Sequence, residues 1–508
     1  MQIVSYQQEL CPALPTVIGN VDYQEFRATL LRIDELLERS GVEKKFIGER
    51  LEQYRKEAEQ NKRVVSEKEL AGVAQHAGRA LRCKIVRQLL GEGCRGFSVR
   101  LADSPLLQQF CGIARLDVIQ VPSKSTLDRY ARWVEEETVR KVVDELNRSA
   151  ANPGKRGNQP LGLTRPLDLD AYFLDTTCVQ ANIHFPVDWV LLRDAARTLI
   201  KAIRVIRKHG LKHRMPEPAD LLRQMNRLAI EMTQVARKRA ESKKERKRVL
   251  RAMKALTQLI RRHAGRYRQM LATRWQETDL KEGHARQILG RIDGVVKQLP
   301  AAIAQAHERI IAERRVRNDQ KILSLYEPDI HVIVRGKASG AVEFGNTLLL
   351  GEERNGVILD WRLLKEQAPS DNHLVGASLD RFTSLFGRPP GALVADRGFD
   401  DGDNRTRLSD EGIYNAITPK SPRKLAQRMT EERFAMLQRR RAQTEARVSI
   451  LKNAFLGRPM RSKGFVHRET HIAWAVLAHN LWVSPGCPLR WSKPSGREKP
   501  PETREVDA

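Results

Sequence analysis

Three acids in this chain stand where an acid is costly or specially flanked. Asp396 closes the run Ala392-Leu-Val-Ala395 and is followed by Arg397 and Gly398. Four apolar residues introduced by Arg388-Pro-Pro-Gly391 read as a strand buried on both faces, and in open α/β sheets chemistry gathers at strand ends. A carboxylate there needs a cation or a hydrogen-bond network. Arg397 is one available counter-charge, and an Asp that only caps the following loop is the plainer alternative. Asp175 stands in the middle of a β-forming run in which Tyr172, Leu174, Thr176 and Cys178 alternate with Phe173, Thr177 and Val179. Acids are seldom buried without a partner, so Asp175 is a better metal candidate than Asp168 or Asp170. Glu445 lies four residues after Arg441 and seven before Lys452, in a stretch without Gly or Pro. At roughly 100° per residue these three side chains fall within about 40° of one another on a helix. An acid between two bases can hold a cation and steady a phosphate beside it; an ordinary surface helix with i,i+4 ion pairs gives the same spacing. Two aspartates alone hold a metal poorly, and phosphoryl-transfer sites use further acids.

The elements that must bring these residues together are legible in outline. Phe26, Leu30, Ile33 and Leu37 share one face of a helix that ends near Gly41. From Ser66 to about Asp144 short Arg-rich helices are expected, with Ser125 and Asp128 as a capping box. They fit a helix-turn-helix type of DNA reader, or an all-helical packing domain with a solvated basic face. Residues 149–166 read as a linker. After the Asp175 strand (167–190), a basic helical region runs over 191–320, divided by Pro216, Pro218 and Pro300. Residues 321–483 bring short strands at 330–334, 343–350 and 357–361, a helix at 371–386, the Asp396 strand, a strand at 414–418 and closing helices. Without the basic region this is the layout of a ribonuclease H-like α/β domain with a mixed five-stranded sheet. It is preceded by an all-α domain over 1–148, carries the long helical insertion after its first strand, and ends in a disordered tail over 484–508.

Composition limits the partners. The 508 residues suffice for two to four domains, and 90 Lys+Arg against 62 Asp+Glu give a formal charge of +28. Such an excess points first to a polyanion, most often nucleic acid. No stretch is long and apolar enough to span a membrane, and the first residues lack the pattern of a secretory signal. The six cysteines form no CxxC pair, so neither zinc nor a disulfide framework is expected, and a reducing, cytoplasmic setting is. The most charged run, Ala236 to Arg248, includes Arg237, Lys238, Arg239, Lys243 and Lys244. It is either a solvated face or a surface that tracks phosphates.

Taken in order, these blocks resemble the DDE transposases of bacterial insertion sequences, in the group whose last acid lies in a Tyr-x2-Arg-x3-Glu-x6-Lys signature. Arg441-x3-Glu445-x6-Lys452 matches three of its positions, and Gln438 stands at the Tyr position. Asp396-Arg-Gly-Phe399 resembles the group's second-Asp segment, and Leu174-Asp-Thr-Thr177 with Pro186-x-Asp188 its first. Val342-Glu-Phe-Gly345 after Arg335-Gly-Lys337, and Ser123-Lys-Ser-Thr-Leu127, are similar to further blocks of the group. The resemblance runs from about Lys84 to Trp482. One difference is the place of the insertion. Well-described members carry theirs between the second Asp and the Glu, which here are only 49 positions apart.

The resemblance implies a recombinase that cuts and rejoins the ends of its own element in double-stranded DNA. Asp175, Asp396 and Glu445 would hold two Mg²⁺ ions, with Mn²⁺ able to substitute. Arg441, Lys452 and Arg397 would contact DNA near the scissile bond. The N-terminal helices would read terminal inverted repeats, the basic insertion would hold flanking or target DNA or a second protomer, and a homodimer would pair two ends on the nucleoid. Two alternatives are a transposase-derived regulator that binds DNA without cutting it, and a basic RNA-binding protein.

Overall fold

The computed structural model describes residues 13–152, 161, 163, 166–237, 242–337, 340–457 and 459–484. Most of the expected linker, and the expected tail from residue 485 on, lie outside the described residues.

Seven helices come first: α1 (Val21–Arg39), α2 (Val42–Gln60), α3 (Glu67–Leu90), α4 (Cys94–Asp103), α5 (Pro105–Phe110), α6 (Lys124–Arg132) and α7 (Glu136–Ala151). The α1 stripe is inward as its spacing requires, with Leu30, Ile33 and Leu37 buried. Gly41 takes a positive φ of 69° between α1 and α2, a turn that favours glycine. A capping box does occur, but at Ser66 and Glu69 before α3. The expected one at Ser125 is displaced. Helix α6 begins at Lys124, and Ser123 is the residue whose hydroxyl accepts the Thr126 N–H. Two serines two apart offer the same local signal, and the register of the buried Leu127 and Tyr130 chooses between them.

The sheet is built from β1 (Tyr172–Gln180), β2 (His331–Lys337), β3 (Gly340–Glu352), β4 (Ile358–Leu363), β5 (Ala392–Ala395) and β6 (Tyr414–Ile417). Its path is β2-β3-β1-β5-β6, and β4 also pairs with β3. Strands β3 and β1 are antiparallel, β3 and β4 antiparallel, and β1, β5 and β6 parallel. The five-stranded expectation is corrected to six strands. Strand β3 is 13 residues long and starts at Gly340 rather than Glu343. Its first half therefore pairs with β2 and its second half with β4. Two glycines permit this close pairing: a Cβ on Gly345 would strike the Val179 carbonyl, and one on Gly351 the Tyr172 ring.

Between β1 and β2 stand α8 (Asp188–Lys208), α9 (Pro218–Arg237), α10 (Lys243–Arg274) and α11 (Glu282–Ala306). They share one apolar core, with Leu199, Ile203, Met253, Ile260, Ile292 and Leu299 at its centre. Pro218 opens α9, as expected of a proline at a helix start. Pro300 does not divide the region, contrary to expectation. It lies inside α11, where the cost of its missing N–H, about 3 kcal/mol, is offset by burial of Val295, Leu299 and Ala302 around it.

After β4 come α12 (Val375–Phe386), α13 (Gly402–Asp410), α14 (Pro422–Arg428), α15 (Glu432–Ile450) and α16 (Phe465–Val483). Helix α16 is buried on nearly every side. It packs on α3, α7 and β4, so one apolar core runs from the N-terminal helices through α16 to one face of the sheet. The opposite face, with Phe173, Ala392, Val394 and Ala416, is covered by Phe434 and Leu437 of α15.

Candidate active site

Strand periodicity decides where the acids point. Side chains alternate faces along a strand. On β1, Tyr172 and Leu174 belong to the large core, whereas Phe173 packs under α15. Asp175 therefore shares the α15 face with Phe173. On β5, Leu393 and Ala395 face the large core and Ala392 and Val394 face α15, so Asp396, two residues beyond Val394, points to the α15 side as well. The parallel register pairs Tyr172 with Leu393 and Phe173 with Val394. Continued by two residues, it sets Asp175 level with Asp396.

Helix α15 lies along this face in the same order as β1. Phe434, Gln438, Arg441, Glu445 and Val448 recur at three- and four-residue steps, one stripe of a helix. Arg440, one residue off the stripe, places its guanidinium 4.5 Å from the Phe173 ring centre. Arg441 and Glu445 act electrostatically on Asp175. The Lys452 Nζ donates to Thr177 Oγ1 at 3.2 Å, two residues further along β1. Lys452 is reached through a π-helical turn over Leu451–Leu456 that continues α15.

The helix is fastened on both sides. Arg440 pairs with Glu352 at the end of β3 at 3.1 Å, and the Thr444 hydroxyl donates to the same carboxylate at 2.8 Å. On the other side Gln438 donates from Nε2 to the Ala416 carbonyl of β6 at 2.7 Å. Its Oε1 accepts from the Thr418 hydroxyl at 3.1 Å and from Arg441 Nε at 3.2 Å.

Asp175 carries the electrostatic signature of the site. Burial pushes its pKa up to about 6; the charges of Asp396 and Glu445 push the same way, against the Thr176 backbone N–H and Arg441. That N–H donates to Asp175 Oδ1 at 2.8 Å. Asp396 both ends its strand and caps the turn that follows, accepting the Gly398 N–H on Oδ1 at 2.7 Å. The loop cap that the sequence offered as the plainer alternative is therefore present. Among the described residues, no three His, Cys, Asp or Glu side chains are gathered into a ready-made metal cluster. The donor set nevertheless suits a divalent cation: three hard carboxylates of which one is held largely buried against its like-charged neighbours, the strain a bound cation relieves.

A fourth acid gives no such signal in the sequence. Asp371, in the short 3₁₀ turn before α12, accepts from the Thr176 hydroxyl at 3.1 Å. A Cβ on Gly398 would lie 3.0 Å from Asp396 Oδ1 and 3.1 Å from Asp371 Oδ2. A side chain at 398 would press on both carboxylates, which lie against the same turn. In the sequence Asp371 marks only a helix start, and its partner Thr176 is 195 residues away.

The other expected DNA contacts are spread widely. Arg397 is exposed in the 3₁₀ turn after Asp396. Arg237 ends α9, while Lys238 and Arg239 lie outside the described residues. Lys243 pairs with Glu313 at 2.9 Å, and Lys247 joins the same carboxylate at 2.8 Å. Lys244 is exposed on α10. No helix among the described residues is long and apolar enough to cross a membrane.

Set beside known protein families, residues 352–481 match the family model of the transposase DDE domain. Neither a curated protein nor a solved structure matches the chain. The matched segment begins at the last residue of β3 and includes Asp396 and Glu445. Asp175 lies upstream of it and is tied to it through the sheet.

Proposed function

Because residues 352–481 match the family model of the transposase DDE domain, we propose that this chain is the transposase of an insertion sequence. It binds the element's terminal inverted repeats and catalyses metal-dependent cleavage and transfer of DNA strands. The observation that supports this reading is electrostatic and topological: the charges of Asp396 and Glu445 both raise the pKa of the half-buried Asp175 carboxylate, and the parallel β1–β5 register brings Asp175 and the Asp396 strand end together.

In this reading Asp175, Asp396 and Glu445 hold a pair of Mg²⁺ ions, or Mn²⁺ in their place. When bound, such a pair supplies the charge that activates the attacking oxygen and neutralises the leaving one. The protein's own side chains do the rest. Arg441 and Lys452, on the same side of β1 as Asp175, steady the phosphates beside the scissile bond, and Arg397 extends that contact from the turn after β5. The acids stay fixed because β1, β5 and a twice-fastened α15 position them, which limits reorganisation during the reaction. The N-terminal helices read the element ends. The basic insertion tracks flanking DNA, and two protomers pair two ends.

The test is nicking of supercoiled DNA that carries the element's ends, with Mg²⁺ or Mn²⁺. Wild type is expected to nick, and Asp396→Asn to bind the ends but leave the circle closed. Nicking by Asp396→Asn at the wild-type rate refutes the site. A wild type that binds the ends and never nicks makes the chain a regulator, and a preference for RNA over end-bearing DNA removes the transposase reading.

A further inference from the structure

The transposase signature that this sequence resembles has Tyr where this chain has Gln438, and the proposed function gives Gln438 no task. Its surroundings supply one. Gln438 lies on the stripe of α15 that faces the sheet, three residues before Arg441. Its hydrogen bonds are directional: Nε2 donates to the Ala416 carbonyl at 2.7 Å, and Oε1 accepts from the Thr418 hydroxyl at 3.1 Å and from Arg441 Nε at 3.2 Å. The first, to a carbonyl that can only accept, fixes which way the amide is turned, so its oxygen faces Arg441; the Thr418 hydroxyl is shared between that oxygen and the Ala395 carbonyl at 3.2 Å. The third uses that oxygen to hold the guanidinium by its Nε, leaving the two terminal nitrogens to point onward. The held Nε thus lies on the β6 side through Gln438, and the charge of Arg441 reaches the Asp175 carboxylate, whose pKa it lowers.

We propose that Gln438 is a positioning residue: it presents the Arg441 guanidinium to the DNA phosphate next to the acids, and it does so through Arg441 rather than by touching DNA. This rests on the proposed function. An arginine held at Nε keeps its terminal N–H pair as a planar fork, the geometry that recognises phosphate oxygens two at a time. A lysine at 441 keeps the charge and loses both the held Nε and the fork.

The experiment uses the full chain and a short duplex ending in the terminal repeat that flanks its gene, pre-cleaved at the element end. Binding is measured at several salt concentrations, with melting temperature recorded for each variant. Gln438→Met, close in length and volume, and Arg441→Lys are each expected to weaken binding about tenfold. The double variant is expected to be no weaker than either single one. Thr444→Val, which loosens the same helix from Glu352, is expected to lower the melting temperature while leaving binding within about twofold. Wild-type binding by either Gln438→Met or Arg441→Lys overturns the inference, as does additive loss in the double variant. Equal loss in Thr444→Val overturns it too, because Gln438 would then be only one more fastener of α15. If Arg441→Gln also binds as wild type, the phosphate contact assigned to Arg441 is itself wrong, and the failure belongs to the proposed function.

Discussion

An ionised Asp175 works against the fold. Its folded pKa, about 6, stands above the ordinary 3.8 because it is buried beside Asp396 and Glu445. Between those two values the folded chain binds more protons at this residue than the unfolded one. Stability from this group is therefore greatest below pH 4, falls as pH rises to 6, and stays low above. The full penalty is about 3 kcal/mol, and the residue's partial exposure makes the real cost smaller. In EDTA, Asp175→Asn is expected to melt about 2–5 °C above wild type at pH 7.5, with the difference vanishing below pH 4. Saturating Mg²⁺ is expected to reverse the order by stabilising wild type alone. A variant that melts below wild type in EDTA at pH 7.5 would mean that Asp175 already has its partner in the protein. The apolar run around Asp175 makes it visible in the sequence, because an acid inside such a run breaks the pattern. Asp371 breaks no local pattern, and its approach to Thr176 and Gly398 exists only once the strands are side by side.

Helix α15 illustrates what spacing reveals and what it omits. The interval from Arg441 to Glu445 to Lys452 places three side chains on one face, and that face flanks the buried one: Glu445 is exposed and Arg441 and Lys452 are half-buried, while Phe434, Leu437, Thr444 and Val448 turn inward. The fastening is not legible. Glu352 and Arg440 are 88 residues apart, and nothing local distinguishes this pair from the many surface ion pairs of the chain. Yet both side chains are almost fully buried, 7% and 10% exposed, so this pair differs from a surface one. Removing one partner of a buried pair leaves the other uncompensated and costs about 3–5 kcal/mol. Glu352→Ala also removes the acceptor of Thr444, so α15 is expected to detach from β3. A loss of stability of that size, read from the denaturation midpoint, is expected, with nicking abolished and binding to the pre-cleaved end weakened. If Glu352→Ala melts early but nicks normally, α15 is positioned by Gln438 and the apolar contacts of Phe434 and Leu437 alone.

At the scale of the molecule, the insertion is a separate layer of design. Its four helices bury their own core, and their charge follows a different rule from the rest of the chain. Helix α10 carries 12 Lys or Arg against a single Glu. The run that stands out in the sequence is its least informative part, since Lys243 and Lys247 share Glu313, whose pKa they pull down to about 2. The stronger feature lies further along. Lys244, Arg248, Arg251, Arg262 and Arg266 are exposed and fall within about 60° of one another at helical spacing. Together they make a stripe of roughly 33 Å, about one turn of duplex DNA. Arg248 is engaged by Glu231 and Glu245. Arg251 and Arg262 have no acidic partner among the described residues, so part of this stripe carries exposed charge that no local ion pair answers. Ion pairing, invisible in a string of residues, is what separates Arg251 and Arg262 from Lys243, Lys247 and Arg248. Removing one charge that neutralises a phosphate lowers the salt dependence of binding by about 0.9. Lys244→Gln, Arg251→Gln and Arg262→Gln together are therefore expected to reduce the slope of log affinity against log salt by about 3 and to weaken binding to all sequences alike. Lys243→Gln, whose charge Glu313 already answers, is expected to change the slope by less than about 1. Equal slopes for the triple variant and wild type would make the stripe an ordinary solvated surface and leave the insertion a structural role alone.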